Sequence, residues 1–101
     1  MPMLKKTPVQ GSDKVAVTFE WGPDAETRTV HVAGDFNQWD PAAHPLKQRK
    51  DGTWATTIRL PKAREYGYRF VVNGYQWCTD DQADRTAPNE YGDVNSVVVL
   101  H

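Results

Sequence analysis

Tyr66-Gly67-Tyr68-Arg69-Phe70-Val71-Val72-Asn73-Gly74 is the stretch that decides the fold. Tyr66, Tyr68, Phe70 and Val72 recur at every second position, with Gly67, Arg69 and Val71 between them, and a period of two belongs to a strand with one buried face. The run ends at Asn73-Gly74, the pair best suited to a two-residue hairpin turn, so the chain folds back through Tyr75, Gln76 and Trp77. Arg69 then points away from the buried layer. Working outward, Val15, Val17, Phe19 and Trp21 alternate with Lys14, Ala16, Thr18 and Glu20 until Gly22-Pro23-Asp24 stops them. Thr29 to Ala33 is a shorter strand with Val30 and Val32 inward. Asp51-Gly52 turns the chain into another, with Trp54, Thr56, Ile58 and Leu60 on one face. Val94 to Leu100 is almost continuously apolar, which suits a strand covered on both faces or packed at its end.

Asp40-Pro41-Ala42-Ala43 is the one helical hint, a capping residue with proline at the first helical position, and Pro45 limits it to a single turn. Met1 to Asp13 shows no periodicity and reads as a flexible arm, leaving 14–101 as one domain. Short strands separated by Gly, Pro, Asp and Asn, with no crossover helices, indicate an all-β antiparallel sandwich. The Cys and Trp spacing of antibody domains is absent, so the alternation supports the architecture and no particular member of it.

A chain of 101 residues has room for one domain. Its formal net charge of −1 offers no field for nucleic acid or an anionic membrane. The single cysteine, Cys78, can form no internal disulfide, and the residues after Lys5-Lys6 are too polar for a secretory signal. A soluble, cytoplasmic protein is the expectation.

Asp80, Asp81, Asp84, Glu90 and Asp93 crowd one segment, but a glycosidase needs two carboxyls held about 5 to 9.5 Å apart around a bond, and a small sandwich lacks the depth. They read instead as solvated loop residues forming Asx turns. His31, His44 and His101 have no metal-ligand spacing, and neither a phosphate loop nor a nucleophile elbow is present. No catalytic residue, metal or cofactor is therefore expected. Trp21 and Trp54 keep phase with apolar neighbours and belong to the core or its edge, whereas Trp39 follows a polar loop and Trp77 lies just past a hairpin. A sugar ring offers C–H faces rimmed by hydroxyls, and Trp39, Trp77, Arg69 and Asn95 supply flat aromatic faces with donors and acceptors. The same two tryptophans could equally cover sheet edges, and the residues alone leave both readings open.

Three stretches add to this: GDFNQWD from Gly34 to Asp40, YRFVVNGYQW from Tyr68 to Trp77, and NEYGDVNSVVV from Asn89 to Val99. In order and spacing they resemble the signatures of family 48 carbohydrate-binding modules, across Lys14 to Leu100. That family includes the glycogen-binding domain of AMP-activated protein kinase β subunits and the N-terminal early-set domains of isoamylases and branching enzymes. The likeness is strongest to small, free-standing bacterial modules with a Lys-rich arm and an NSVV strand.

The resemblance implies an immunoglobulin-like (early-set) sandwich and a non-catalytic module for α-1,4-glucan: glycogen, starch or malto-oligosaccharide. Trp39 and Trp77 match the family's stacking pair, Arg69 stands in place of its lysine, and Asn95 matches its asparagine. Tyr91 and Asp93 occupy its leucine and threonine positions, and Asp93 places a negative charge beside the groove. The alternative it implies is an accessory domain working in trans with a glycoside hydrolase family 13-type branching or debranching enzyme. An enzyme in its own right is disfavoured, because the catalytic barrel of such enzymes is missing from the chain.

Overall fold

A computed structural model describes residues 4–100. Nine strands account for its regular structure: β1 (Lys5–Pro8), β2 (Lys14–Trp21), β3 (Val30–Gly34), β4 (Lys47–Gln48), β5 (Trp54–Pro61), β6 (Arg64–Val72), β7 (Gln76–Cys78), β8 (Arg85–Pro88) and β9 (Val94–Leu100). They form two sheets, one in the order β1-β2-β5-β4 and the other in the order β3-β6-β9-β8, with β7 beside β6. Every pairing is antiparallel. This is the all-β, immunoglobulin-like sandwich that the motifs imply, and no helix occurs among the described residues. At Asp40 the carboxylate accepts the Ala42 N–H and the carbonyl accepts the Ala43 N–H, which closes one turn without a helix.

The alternation in the sequence becomes the core. Val17 and Phe19 of one sheet meet Val32, Tyr68, Phe70 and Val98 of the other, all fully buried. Aromatic rings stitch the layers: Phe19 meets Tyr68 edge-on at 4.8 Å, and Trp21 meets Phe70 at 5.4 Å. Such pairs add about 0.5 to 1.5 kcal/mol beyond their burial. Trp54 is buried and Trp21 packs against the cluster, the places their phase predicts. Where the chain crosses between sheets after β5, the Tyr66 hydroxyl donates to the Pro61 carbonyl at 2.8 Å, a tie resembling the tyrosine corner of immunoglobulin-like folds. Inside the second sheet β9 runs between β6 and β8; its inward residues Ser96, Val98 and Leu100 are buried and so is Val97 on the other face, which fits its nearly continuous apolar character.

The N-terminal arm is a correction. Residues 5–8 pair with β2, from Lys5 opposite Thr18 to Pro8 opposite Val15. Leu4 is buried in the core, and the Lys6 ammonium reaches across to the Val99 carbonyl and the Asp84 carboxylate. All four strand residues are exposed, so no alternation marks the strand. The free edge of β2 creates it, with proline tolerated because it is an edge strand. Met1 to Met3, and His101 at the other end, lie outside the described residues.

Asp80 corrects the reading of the acidic segment as solvated. It is buried, accepts a hydrogen bond from the Tyr68 hydroxyl at 2.7 Å, and donates its own N–H to the Ser96 hydroxyl at 2.6 Å. Asp84 turns inward as well and accepts the Val99 N–H. Asp80, through its carboxylate on β6 and its N–H on β9, and Asp84, through its carboxylate on β9, therefore brace the second sheet against the connection that precedes β8.

Candidate functional site

The loop after β3 builds one wall of the site. Gly34, the last residue of β3, from which the loop departs, must be glycine, because a Cβ there would lie 2.5 Å from the Gly67 carbonyl oxygen and 2.8 Å from the Tyr68 Cβ. Asn37 knots the loop: its side-chain oxygen accepts the Gly34 N–H and its amide donates to the Val32 carbonyl. Gln38 and Trp39 both adopt positive φ, 59° and 58°, a conformation that bulky residues take only when their surroundings impose it. Trp39 is held there by its own N–H, which donates to the Gly34 carbonyl at 2.9 Å, and by Asp35. Its Oδ1 accepts the indole Nε1–H at 2.9 Å, while Oδ2 accepts the Gly67 N–H at 2.7 Å. One carboxylate thus ties a loop indole to the middle of β6.

The floor is the outer face of the second sheet. β9 pairs with Arg64 to Tyr68 of β6, and β7 pairs with Phe70 to Val72, so the two strands share one edge of β6 and part at Arg69. Trp77, opposite Val71, is therefore held on the outer face and is 41% exposed, enough of an indole to take a ligand against it. Arg69 fills the split. Its Nε and Nη2 both donate to the Val94 carbonyl, and Nη2 also meets the Asp93 carboxylate at 2.7 Å. That hydrogen bond from Arg69 holds the Asp93 carboxyl below the ordinary carboxylate range, with the Val94 N–H acting the same way. Nη1 is the end of the guanidinium left for anything else.

The far wall is the loop before β9, an Asx structure around Asn89. The Asn89 side-chain oxygen accepts the N–H groups of Tyr91 and Asp93, and its amide donates to Asn95 Oδ1 at 3.2 Å. Asn95 in turn places Nδ2 close above Gly67. Gly92 turns the loop at φ 79°, and Tyr91 projects into solvent, 85% exposed. Between these walls lies an open cleft of about 540 Å³.

Of the six residues named from sequence, Trp39, Arg69, Trp77, Tyr91 and Asn95 line this cleft. Asp93 does not; it is engaged by Arg69, so the charge expected beside the groove is neutralised there. Asp35 and Asn89 line the cleft without having been singled out, as does Glu90, read from sequence only as a solvated loop residue. Asp35 and Asn89 do stand inside the quoted motifs, but their roles are contacts across the fold or within a loop, which no periodicity encodes. The cleft can offer a ligand aromatic faces, an amide, one end of a guanidinium and two water-exposed carboxylates.

Known proteins carry this region as part of something larger. The chain is 38% identical over 66 residues to a protein named 1,4-alpha-glucan branching enzyme GlgB 2 from Xanthomonas campestris pv. campestris, covering 63% of this chain and 9% of the enzyme. To the branching enzyme GlgB of Pseudomonas fluorescens it is 38% identical over 82 residues, 80% of this chain and 10% of the enzyme. To that of Novosphingobium aromaticivorans it is 45% identical over 53 residues, 50% of this chain and 7% of the enzyme. The chain thus spans about a tenth or less of the length of these relatives. The sequence model of the family described as the glycogen recognition site of AMP-activated protein kinase matches residues 15–101, nearly the whole chain, and the protein belongs to that family of carbohydrate-binding modules.

Proposed function

We propose that the chain binds α-1,4-glucan as glycogen, starch or malto-oligosaccharide and does no chemistry on it, with successive glucose rings laid on the indoles of Trp39 and Trp77. The observation that carries this reading is the meeting of two accessible indoles, the Asn95 amide and the Arg69 guanidinium on one open cleft. The stacked C–H faces supply most of the affinity, and the polar groups orient the hydroxyl rim. Tyr91 and Glu90 stand at the lip where they can touch the outer side of a bound chain. Asp93 acts indirectly, by fixing Arg69.

Electrostatics support a neutral ligand. Arg69, the one arginine lining the cleft among the described residues, is paired with Asp93, and Asp35 and Glu90 add carboxylates, so a phosphate backbone would meet net repulsion. Binding without turnover is supported by the exposure of Asp35 and Glu90, since a glycosidic general acid is held in an apolar, partly desolvated place. The likeness to branching enzymes supports a second role, presenting glucan to such an enzyme in trans.

Titration of tryptophan fluorescence with maltoheptaose tests the reading. The dissociation constant should fall at about 10 μM to 1 mM, roughly −4 to −7 kcal/mol, with little dependence on salt. Trp39→Ala and Trp77→Ala should each cost about 1 to 3 kcal/mol, on the scale of aromatic–base stacking. Cellohexaose, a flat β-1,4 chain, should give no response. Equal responses to both sugars, or a salt-sensitive response to oligonucleotides alone, would sink the α-glucan reading.

A further inference from the structure

We propose that the glucan site continues past Trp39 along the outer face of the second sheet to a further glucose subsite formed by Glu65 and Arg85, an inference that rests on the glucan reading of the main cleft. From Arg69 back toward the start of β6 the outward residues are Arg69, Gly67 and Glu65, since Tyr66 and Tyr68 face the core. Two strand steps separate Arg69 from Glu65, about 13 Å, longer than one hexose ring. Between them Gly67 presents no side chain. A Cβ there would lie 3.6 Å from Trp39 Cζ2, 3.3 Å from Asp35 Oδ2 and 3.6 Å from Asn95 Nδ2, so any longer residue would rise as a barrier beside the Trp39 indole.

Beyond that point lies a second hollow of about 240 Å³, which shares Asp35 and Asn95 with the main cleft. Its floor follows from the register: Gly67 pairs with Val97, and Val97 pairs with Arg85 on the other side. Glu65 on β6 and Arg85 on β8 form an ion pair across the intervening β9, and Val97, although on the outer face, is buried. The two charged side chains are 38% and 50% exposed, so they remain open to a ligand. A carboxylate accepts and a guanidinium donates, while each sugar hydroxyl does both, and a vicinal diol laid across the pair satisfies all four groups. An exposed ion pair is worth little to the fold, which frees these residues for substitution.

Isothermal titration with maltotetraose and maltoheptaose, on the wild type and on the Glu65→Gln/Arg85→Gln double variant, decides the matter. The wild type should prefer maltoheptaose. The variant should keep its maltotetraose affinity and its melting temperature but lose about tenfold for maltoheptaose, the scale of one hydrogen bond to a charged group. Unchanged maltoheptaose affinity in the variant, equal affinity of the wild type for both sugars, or equal weakening toward both in the variant overturns the subsite while leaving the main cleft standing. A wild type that binds neither sugar overturns the glucan reading itself, and the subsite with it.

Discussion

Asp35→Asn tests whether the orientation of Trp39 is imposed by one carboxylate. Asp35 accepts two donors, the Trp39 indole N–H at 2.9 Å and the Gly67 N–H at 2.7 Å. Asparagine is nearly the same shape but has one oxygen, so its NH₂ must face one of those N–H groups. A hydrogen bond to a charged group contributes about 1.5 to 3 kcal/mol, and the exposure of Asp35 argues for the lower end. Trp39 meanwhile sits at φ 58°, in a left-handed region that costs a non-glycine residue about 1 to 2 kcal/mol. Once the anchor weakens, that strain favours release of the indole. If the anchored state falls to roughly a tenth of the population, glucan affinity falls about tenfold, or ~1.4 kcal/mol. The Gly67 contact joins the loop to β6, so the melting temperature should also drop, by roughly 4 to 8 °C for each kcal/mol in a domain of this size. Calorimetric titration with maltoheptaose beside a thermal melt reads both effects. Wild-type affinity with an unchanged melting temperature would refute the anchoring argument; a lowered melting temperature with wild-type affinity would show that Asp35 braces the fold and leaves the indole where it was.

Two further outcomes follow from the other carboxylates. Tyr68→Phe removes the donor to buried Asp80 and should destabilise the protein by about 1 to 3 kcal/mol near neutral pH. Burial raises the Asp80 carboxyl above 3.8 despite the opposing Tyr68 hydrogen bond, so Asp80 takes up a proton more readily in the fold than in the unfolded chain. Its stabilising contribution is complete below the unfolded value and is lost as pH rises through the folded one, and the Tyr68→Phe deficit should shrink on acidification. Thermal melts at about pH 7 and about pH 5 would show this, and a deficit that widens on acidification would refute it. Asp93 shifts the other way: held below 3.8 by Arg69, it keeps its contribution above that value and loses it as pH falls through the lower folded one. Maltoheptaose affinity should therefore be flat from about pH 8 to pH 5 and weaken only in stronger acid, and a decline centred near neutral pH would count against the clamp.

The strands that form the sandwich interior were legible because burial on one face leaves a period of two. β2, β3, β5 and β6 show it, and β9 shows instead the nearly continuous apolar run of a strand with buried residues on both faces. The edge strands β1, β4 and β8 were not legible, since their residues are almost all exposed and their pairing depends on an open edge supplied elsewhere in the chain. At the site, Trp39 in a polar loop and Trp77 just past a hairpin stood apart from the core tryptophans without excluding a place at the sheet edges, and it was the family motifs that set Arg69, Tyr91, Asp93 and Asn95 beside them. Only the tertiary structure turned Asp93 onto Arg69, buried Asp80 beneath Tyr68, and set Asp35 between Trp39 and Gly67. Alternation reports which face of a strand meets the core, a local consequence of one residue's neighbours. The hydrogen bond between Asp35 and Gly67, far apart in the chain, exists only after β3 has paired with β6 and carried its loop alongside, and no local pattern of residue types records it.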